Sequence, residues 1–130
     1  MTEPRWITRR MIDAAHDDLV YTFGGITGIR DETALESALA RPQQKFFYEE
    51  DASFATLCAA YGFGIAKNHP YNDGNKRSAY MAMRAFARFN GCDIKATEAE
   101  VVEIMIAVAA SHVDEDGLAR WLEEHVVKKT

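Results

Sequence analysis

The segment His69–Tyr80 reads HPYNDGNKRSAY. It packs one histidine, one acid, a Gly-Asn pair and two adjacent bases between two apolar stretches of helical period. Pro70 pushes His69 out of the helical region, so the preceding helix must end there. Gly74 opens the next helix, whose pattern continues to Asn90 before Gly91, a good residue just past a C-terminus. The segment is therefore a polar turn between two long helices, at one end of a helical bundle and open to solvent.

The chain on either side has the same helical character. Upstream, Ser53 to Asn68 carries Phe54, Leu57, Cys58, Tyr61 and Ile65 on one stripe. Gly62 and Gly64 inside that helix cost about 1 kcal/mol each relative to alanine, which predicts close packing against a neighbour. Downstream, Ala79, Met83, Phe86 and Ala87 mark the buried face. Further out, Thr8 caps a helix with Met11, Ile12, Ala15, Leu19 and Val20 that stops at Gly24-Gly25. Asp31 or Thr33 caps a short helix with Leu35, Ala38 and Leu39, which Pro42 is expected to end. Lys45-Phe46-Phe47-Tyr48 favours extended structure through its aromatics and reads as an exposed hairpin or strap. Thr97 and Glu100 form a capping box ahead of Val101, Ile104, Met105 and Val108. A last helix holds Leu118, Trp121, Leu122, His125 and Val126. The expectation is an all-α domain of about six helices over residues 1–130, without repeat or linker.

Composition excludes several function classes. The chain has 130 residues, 48% of them hydrophobic, and a net charge of -5. That charge argues against broad nucleic-acid binding, which needs a basic stripe. Any positive site must be local. Cys58 and Cys92 lack a CxxC context and read as buried free thiols of a reducing compartment. The N-terminal residues lack a secretory apolar core, and no run approaches the ~18 apolar residues of a membrane span. The expected setting is soluble and cytoplasmic.

The turn itself suits a phosphate. Gly74 lets another group approach the backbone. The N–H groups of Asn75, Lys76 and Arg77 lie in a first helical turn, where they have no intrahelical partners and the helix dipole favours anions. Two bases in that turn break the usual preference for acids, as expected where a bound anion restores the balance. Asp73 beside a phosphate site calls for a cation between them, and Mg²⁺ binds through carboxylate plus substrate phosphates. His69 can accept a proton near neutral pH. Each residue also has a plainer reading: Asp73 as an N-cap, Asp73 and Arg77 as an i, i+4 surface pair, His69 as a satisfied core histidine. There is no Walker A pattern. His112 and His125 lack metal-ligand spacing and read as surface residues. His16-Asp17-Asp18 reads as the solvated face of the first helix. Ser53, Ser78 and Ser111 lack a nucleophile-elbow context. Arg84 and Arg88 read as solvated, with Arg84 as an optional helper at the phosphate site.

His69-Pro70-Tyr71-Asn72-Asp73-Gly74-Asn75-Lys76-Arg77 resembles the Fic-domain motif H-x-F-x-[DE]-G-N-x-R, and Lys76 is similar to the Doc branch, the toxins of Phd–Doc-type modules. The likeness extends through Phe23-Gly24-Gly25, Gly28-Ile29-Arg30-Asp31, Leu35 to Pro42, Tyr48-Glu49-Glu50 and Phe89-Asn90-Gly91, roughly Tyr21 to Gly91. The resemblance implies a Fic fold with the motif at the start of its central helix. It implies transfer of the terminal phosphate of ATP to a protein hydroxyl, with elongation factor Tu as the known target type. By position, His69 would deprotonate the hydroxyl and Asp73 would hold Mg²⁺. Gly74 and Asn75 would line the anion hole, and Lys76 and Arg77 would bind nucleotide phosphates. The Lys45–Tyr48 strap resembles the target-holding flap. AMP transfer is the alternative, weakened by Tyr80 and Lys76, which stand where AMP-transferring members carry Arg and Gly. Gly74, however, is of the AMP-transferring type. A catalytically silent nucleotide- or partner-binding module is the reading from another class. Ser111–Asp116 is the nearest match to the built-in inhibitory helix of many members, and reads as chance. A separate Phd-like antitoxin is therefore implied.

Overall fold

A computed structural model of the chain describes residues 1–129. Among them are six helices: α1 (Arg9–Phe23), α2 (Glu32–Tyr48), α3 (Phe54–Asn68), α4 (Asn75–Phe89), α5 (Glu98–Ala109) and α6 (Glu115–His125). The all-α expectation holds, with one small addition. Two three-residue strands, β1 (Cys92–Ile94) and β2 (Val126–Lys128), pair antiparallel with Asp93 opposite Val127.

Helix α3 is the central element because its sequence is apolar nearly all round, as a fully surrounded helix must be. It packs most extensively on α4 and α2, and then on α6. Its two glycines permit this. A Cβ on Gly64 would lie 3.2 Å from the Ala38 backbone of α2, and one on Gly62 would run into Met83 of α4. Phe86 of α4 gathers the aromatic core, stacking on Phe54 at 4.9 Å and on Trp6 at 5.9 Å. The Tyr61 hydroxyl accepts the Ile7 N–H at 3.2 Å, so its buried oxygen is satisfied.

Two expectations fail at α2. Pro42 does not end the helix but lies inside it, and Lys45–Tyr48 is its last turn rather than a hairpin or strap. Tertiary contacts override the local signals here. Pro42 is fully buried. Phe46 meets the Trp6 ring edge-on at 5.7 Å, and Arg41 and Lys45 both reach Glu115 of α6. Backbone already closed into a helix cannot add a strand, so Lys45–Tyr48 is not an extended flap that could hold a target segment by strand pairing.

The C-terminal strand is anchored by a pH-dependent contact. His125 Nδ1 donates to the Trp121 carbonyl at 2.6 Å, and Nε2 lies 3.2 Å from a Glu100 carboxylate oxygen. Both ring nitrogens thus face acceptors, which favours the doubly protonated ring. The Trp121 carbonyl first, and Glu100 with it, raise the His125 pKa above its ordinary 6.5. A raised folded-state pKa stabilises the fold below the unfolded value, and the contribution is lost as pH rises through the folded value. Denaturant unfolding across pH 5–9 is expected to show wild type losing stability relative to His125→Gln above about pH 6.5. A constant difference across that range would exclude the linkage.

Candidate active site

The motif turn is built by both flanking helices and one loop. His69 is the C-cap of α3 in the left-handed region, φ 48° and ψ 56°. It has left the right-handed helix as Pro70 requires, at a cost of about 1–2 kcal/mol for a non-glycine residue. Arg30 supports that geometry by donating to the carbonyls of His69 at 2.7 Å and Asn68 at 2.9 Å. The His69 side chain is exposed. Residues 24–31, the loop between α1 and α2, are fastened to the turn. The Pro70 carbonyl accepts from Arg30 and Asp31, Asn72 N–H donates to Gly28, and the Asn72 amide donates to the Thr27 carbonyl. Gly28 and Arg30 were the available signals, since a glycine and a base flank an extended Ile.

Asp73 is neither the N-cap of α4 nor paired with Arg77. Its carboxylate accepts the Gly74 N–H at 2.9 Å and the Ile26 N–H at 3.2 Å, and it remains exposed. Gly25, with φ 120°, makes room for it, since a Cβ there would sit 2.7 Å from the carboxylate. Gly24-Gly25 thus does more than stop α1.

The N-cap of α4 is Gly74, at φ 74° and ψ 22°, and no side chain caps the helix. Thr8, Asp31, Ser53, Thr97 and Asp114 each cap one of the other five with a side-chain hydrogen bond. Asn75 does not turn back on the first turn. Its side chain clamps Tyr71, accepting from the backbone N–H and donating to the carbonyl, both at 3.0 Å. The first turn holds no acid. Lys76 is exposed and makes no ion pair among the described residues. The Arg77 guanidinium lies over the Phe23 ring, 4.3 Å from its centroid. Unpartnered N–H groups, two uncompensated cations and a neighbouring carboxylate thus share one helix start. That donor set fits an oxyanion together with a hard divalent cation.

One residue of α1 packs against the turn from below the surface. His16 is not on the solvated face: it is 3% exposed, whereas Asp17 and Asp18 are exposed. Its place four residues after buried Ile12 was the signal. Burial holds its pKa below the ordinary value, against the pull of Asp17, Asp13 and Asp73. Arg84 is engaged away from the turn, bonding Asp93 at 3.1 Å beside Arg88. His112 is exposed, and Glu115 of the Ser111–Asp116 stretch is held by Arg41 and Lys45. Cys58 is buried as expected, whereas Cys92 is only half-buried.

No helix among the described residues is long and apolar enough to cross a membrane. A family model described as the Fic/DOC family matches residues 6–87, so the match takes in α1 as well as the motif. The chain is 28% identical over 118 residues to "Protein kinase doc" of Escherichia phage P1, covering 91% of this chain and 93% of that protein. It is 37% identical over 106 residues to "Toxin Doc" of Mycolicibacterium smegmatis, covering 77% of this chain and 79% of that protein.

Proposed function

Since the chain belongs to the Fic/DOC family, we propose that it is a growth-arresting toxin that transfers the terminal phosphate of ATP to a hydroxyl of a protein, with elongation factor Tu as the leading target. The observation that supports this best is the start of α4, the one helix among the described residues without a side-chain cap, with Lys76 and Arg77 in its first turn. The name of the phage relative, a protein kinase, favours phosphate over AMP as the group moved.

In this reading the N–H groups of Asn75 to Arg77 hold ATP phosphate oxygens, and Gly74 leaves room for their approach. Lys76 and Arg77 neutralise charge on the same phosphates. Arg77 would swing from the Phe23 ring or act from it. His69, exposed on the rim of the turn, takes the proton of the acceptor hydroxyl. The hydroxyl oxygen then bonds to the γ-phosphorus, the bond to the bridging oxygen breaks, and ADP departs. The imidazolium afterwards returns its proton to solvent. Asp73 would hold Mg²⁺, which would supply positive charge to offset that of the phosphates. Most of the catalysis would be positioning and electrostatics.

A Phd-like antitoxin is the proposed partner. Phe23 and Ile26, which touch Arg77 and Asp73, are 60% and 66% exposed, an apolar border to the turn for a folding segment to cover. A cytoplasmic setting follows from this reading, with neither nucleic acid nor membrane as a direct partner.

Incubation with bacterial lysate and either γ- or α-labelled ATP tests the proposal. Protein-bound label from the γ position alone is expected. Label from the α position would make it an AMP transferase, and no label from either would leave a silent binding module.

A further inference from the structure

The cradle at the start of α4 has no capping side chain of its own, so something else must fix where its N–H groups point. Among the described residues, His16 and Ser78 are the buried polar side chains other than the tyrosines Tyr61 and Tyr71, and they bond to each other. His16 Nδ1 lies 2.8 Å from Ser78 Oγ. The ring stacks flat on Tyr71, centroids 3.7 Å apart and planes 8° apart. Its Cε1 edge lies where a Cβ on Gly74 would be 3.7 Å away. One side chain of α1 therefore touches the residue clamped by Asn75 and the fourth residue of α4, and its ring edge faces the N-cap between them.

We propose that His16 is a positioning residue for the anion cradle, joining α1 to Tyr71, Gly74 and Ser78 so that the amides of Asn75 to Arg77 converge on one point. This rests on the nucleotide-binding reading of the turn but adds a residue outside the motif to it. His16 makes no hydrogen bond to the amides of Asn75 to Arg77 and acts through Tyr71 and Ser78, on which it packs and to which it bonds. Its Nε2 is buried without a hydrogen-bond partner, as is the Tyr71 hydroxyl. A histidine kept with an unsatisfied nitrogen is a costly core residue, since an apolar side chain of like shape would avoid that desolvation. That cost is consistent with selection for the Nδ1 contact rather than for packing alone. Convergent donors lose effect steeply with small displacements.

The test uses His16→Phe, which keeps the ring stack and removes the Nδ1 bond, and His16→Asn, which can restore a polar partner to Ser78 without the ring. Ser78→Ala and the double variant with His16→Phe complete a cycle. Dissociation constants for Mg²⁺–ATP are measured by calorimetry well below each unfolding midpoint. His16→Phe is expected to weaken binding about tenfold, the order of one hydrogen bond. Ser78→Ala should match it, the double variant should add little, and His16→Asn should recover most of the loss. Unchanged affinity in His16→Phe, with only the unfolding midpoint moved, would overturn the inference. If wild type itself fails to bind ATP, the nucleotide reading falls, and the backbone amide resonances of Gly74 to Arg77 in the free protein decide the inference. Displacement of those resonances in His16→Phe and their return in His16→Asn would support it; unmoved resonances would overturn it.

Discussion

Replacing His69 by Ala is expected to abolish growth inhibition and to lower transfer of γ-label by about 10²–10⁴-fold, the range of a lost general base. The fold should survive. The side chain is exposed and no hydrogen bond of the turn uses it; Arg30 holds the backbone carbonyl, which the substitution keeps. The backbone is the part at risk, because φ is 48° there. Asn tolerates that region better than Ala, so His69→Asn serves as the control. Both variants should bind Mg²⁺–ATP like wild type and both should be inactive. Growth inhibition equal to wild type by folded His69→Ala would defeat the assignment of His69 as the base.

The next largest effect is expected of Asp73→Asn. The carboxylate accepts two backbone N–H groups, from Gly74 and from Ile26. An amide can accept only one of them, so the loop tether weakens by about 1 kcal/mol. The loss of charge matters more. A metal supplies several kcal/mol of charge stabilisation in the transition state, and each 1.36 kcal/mol is a factor of ten in rate. Transfer should fall about 10²-fold or more at low Mg²⁺ and recover in part as Mg²⁺ is raised. Initial rates across a Mg²⁺ titration check this, with denaturant unfolding beside them. An unaltered Mg²⁺ dependence would remove Asp73 from the proposed metal site.

How much of this was legible in the sequence varies with range. Helical period and caps are local, and Thr8, Asp31, Thr97 and Gly91 marked their boundaries correctly. The persistence of α2 through Pro42 was hidden, because Glu115 and Trp6, which hold its last turns, are remote in sequence. The β1–β2 pair was hidden for the same reason: strands of three residues, joined through two helices, leave no hairpin signal. In the turn, the residue types pointed to the uncapped helix start, but the partners did not show. Asn75 spends its side chain on Tyr71, Arg77 rests on Phe23, and Asp73 is held by Ile26. His16 was misread because only its neighbours Asp17 and Asp18 follow the solvated face, whereas its own spacing from Ile12 puts it inside.

In the proposed reaction, nucleotide phosphates sit at the first turn of α4. Titration of isotope-labelled protein with Mg²⁺–ATP, followed through its backbone amide resonances, tests that most directly. The largest saturable shifts are expected at Gly74, Asn75, Lys76 and Arg77. Saturable shifts confined to other residues, or none at all, would contradict that placement.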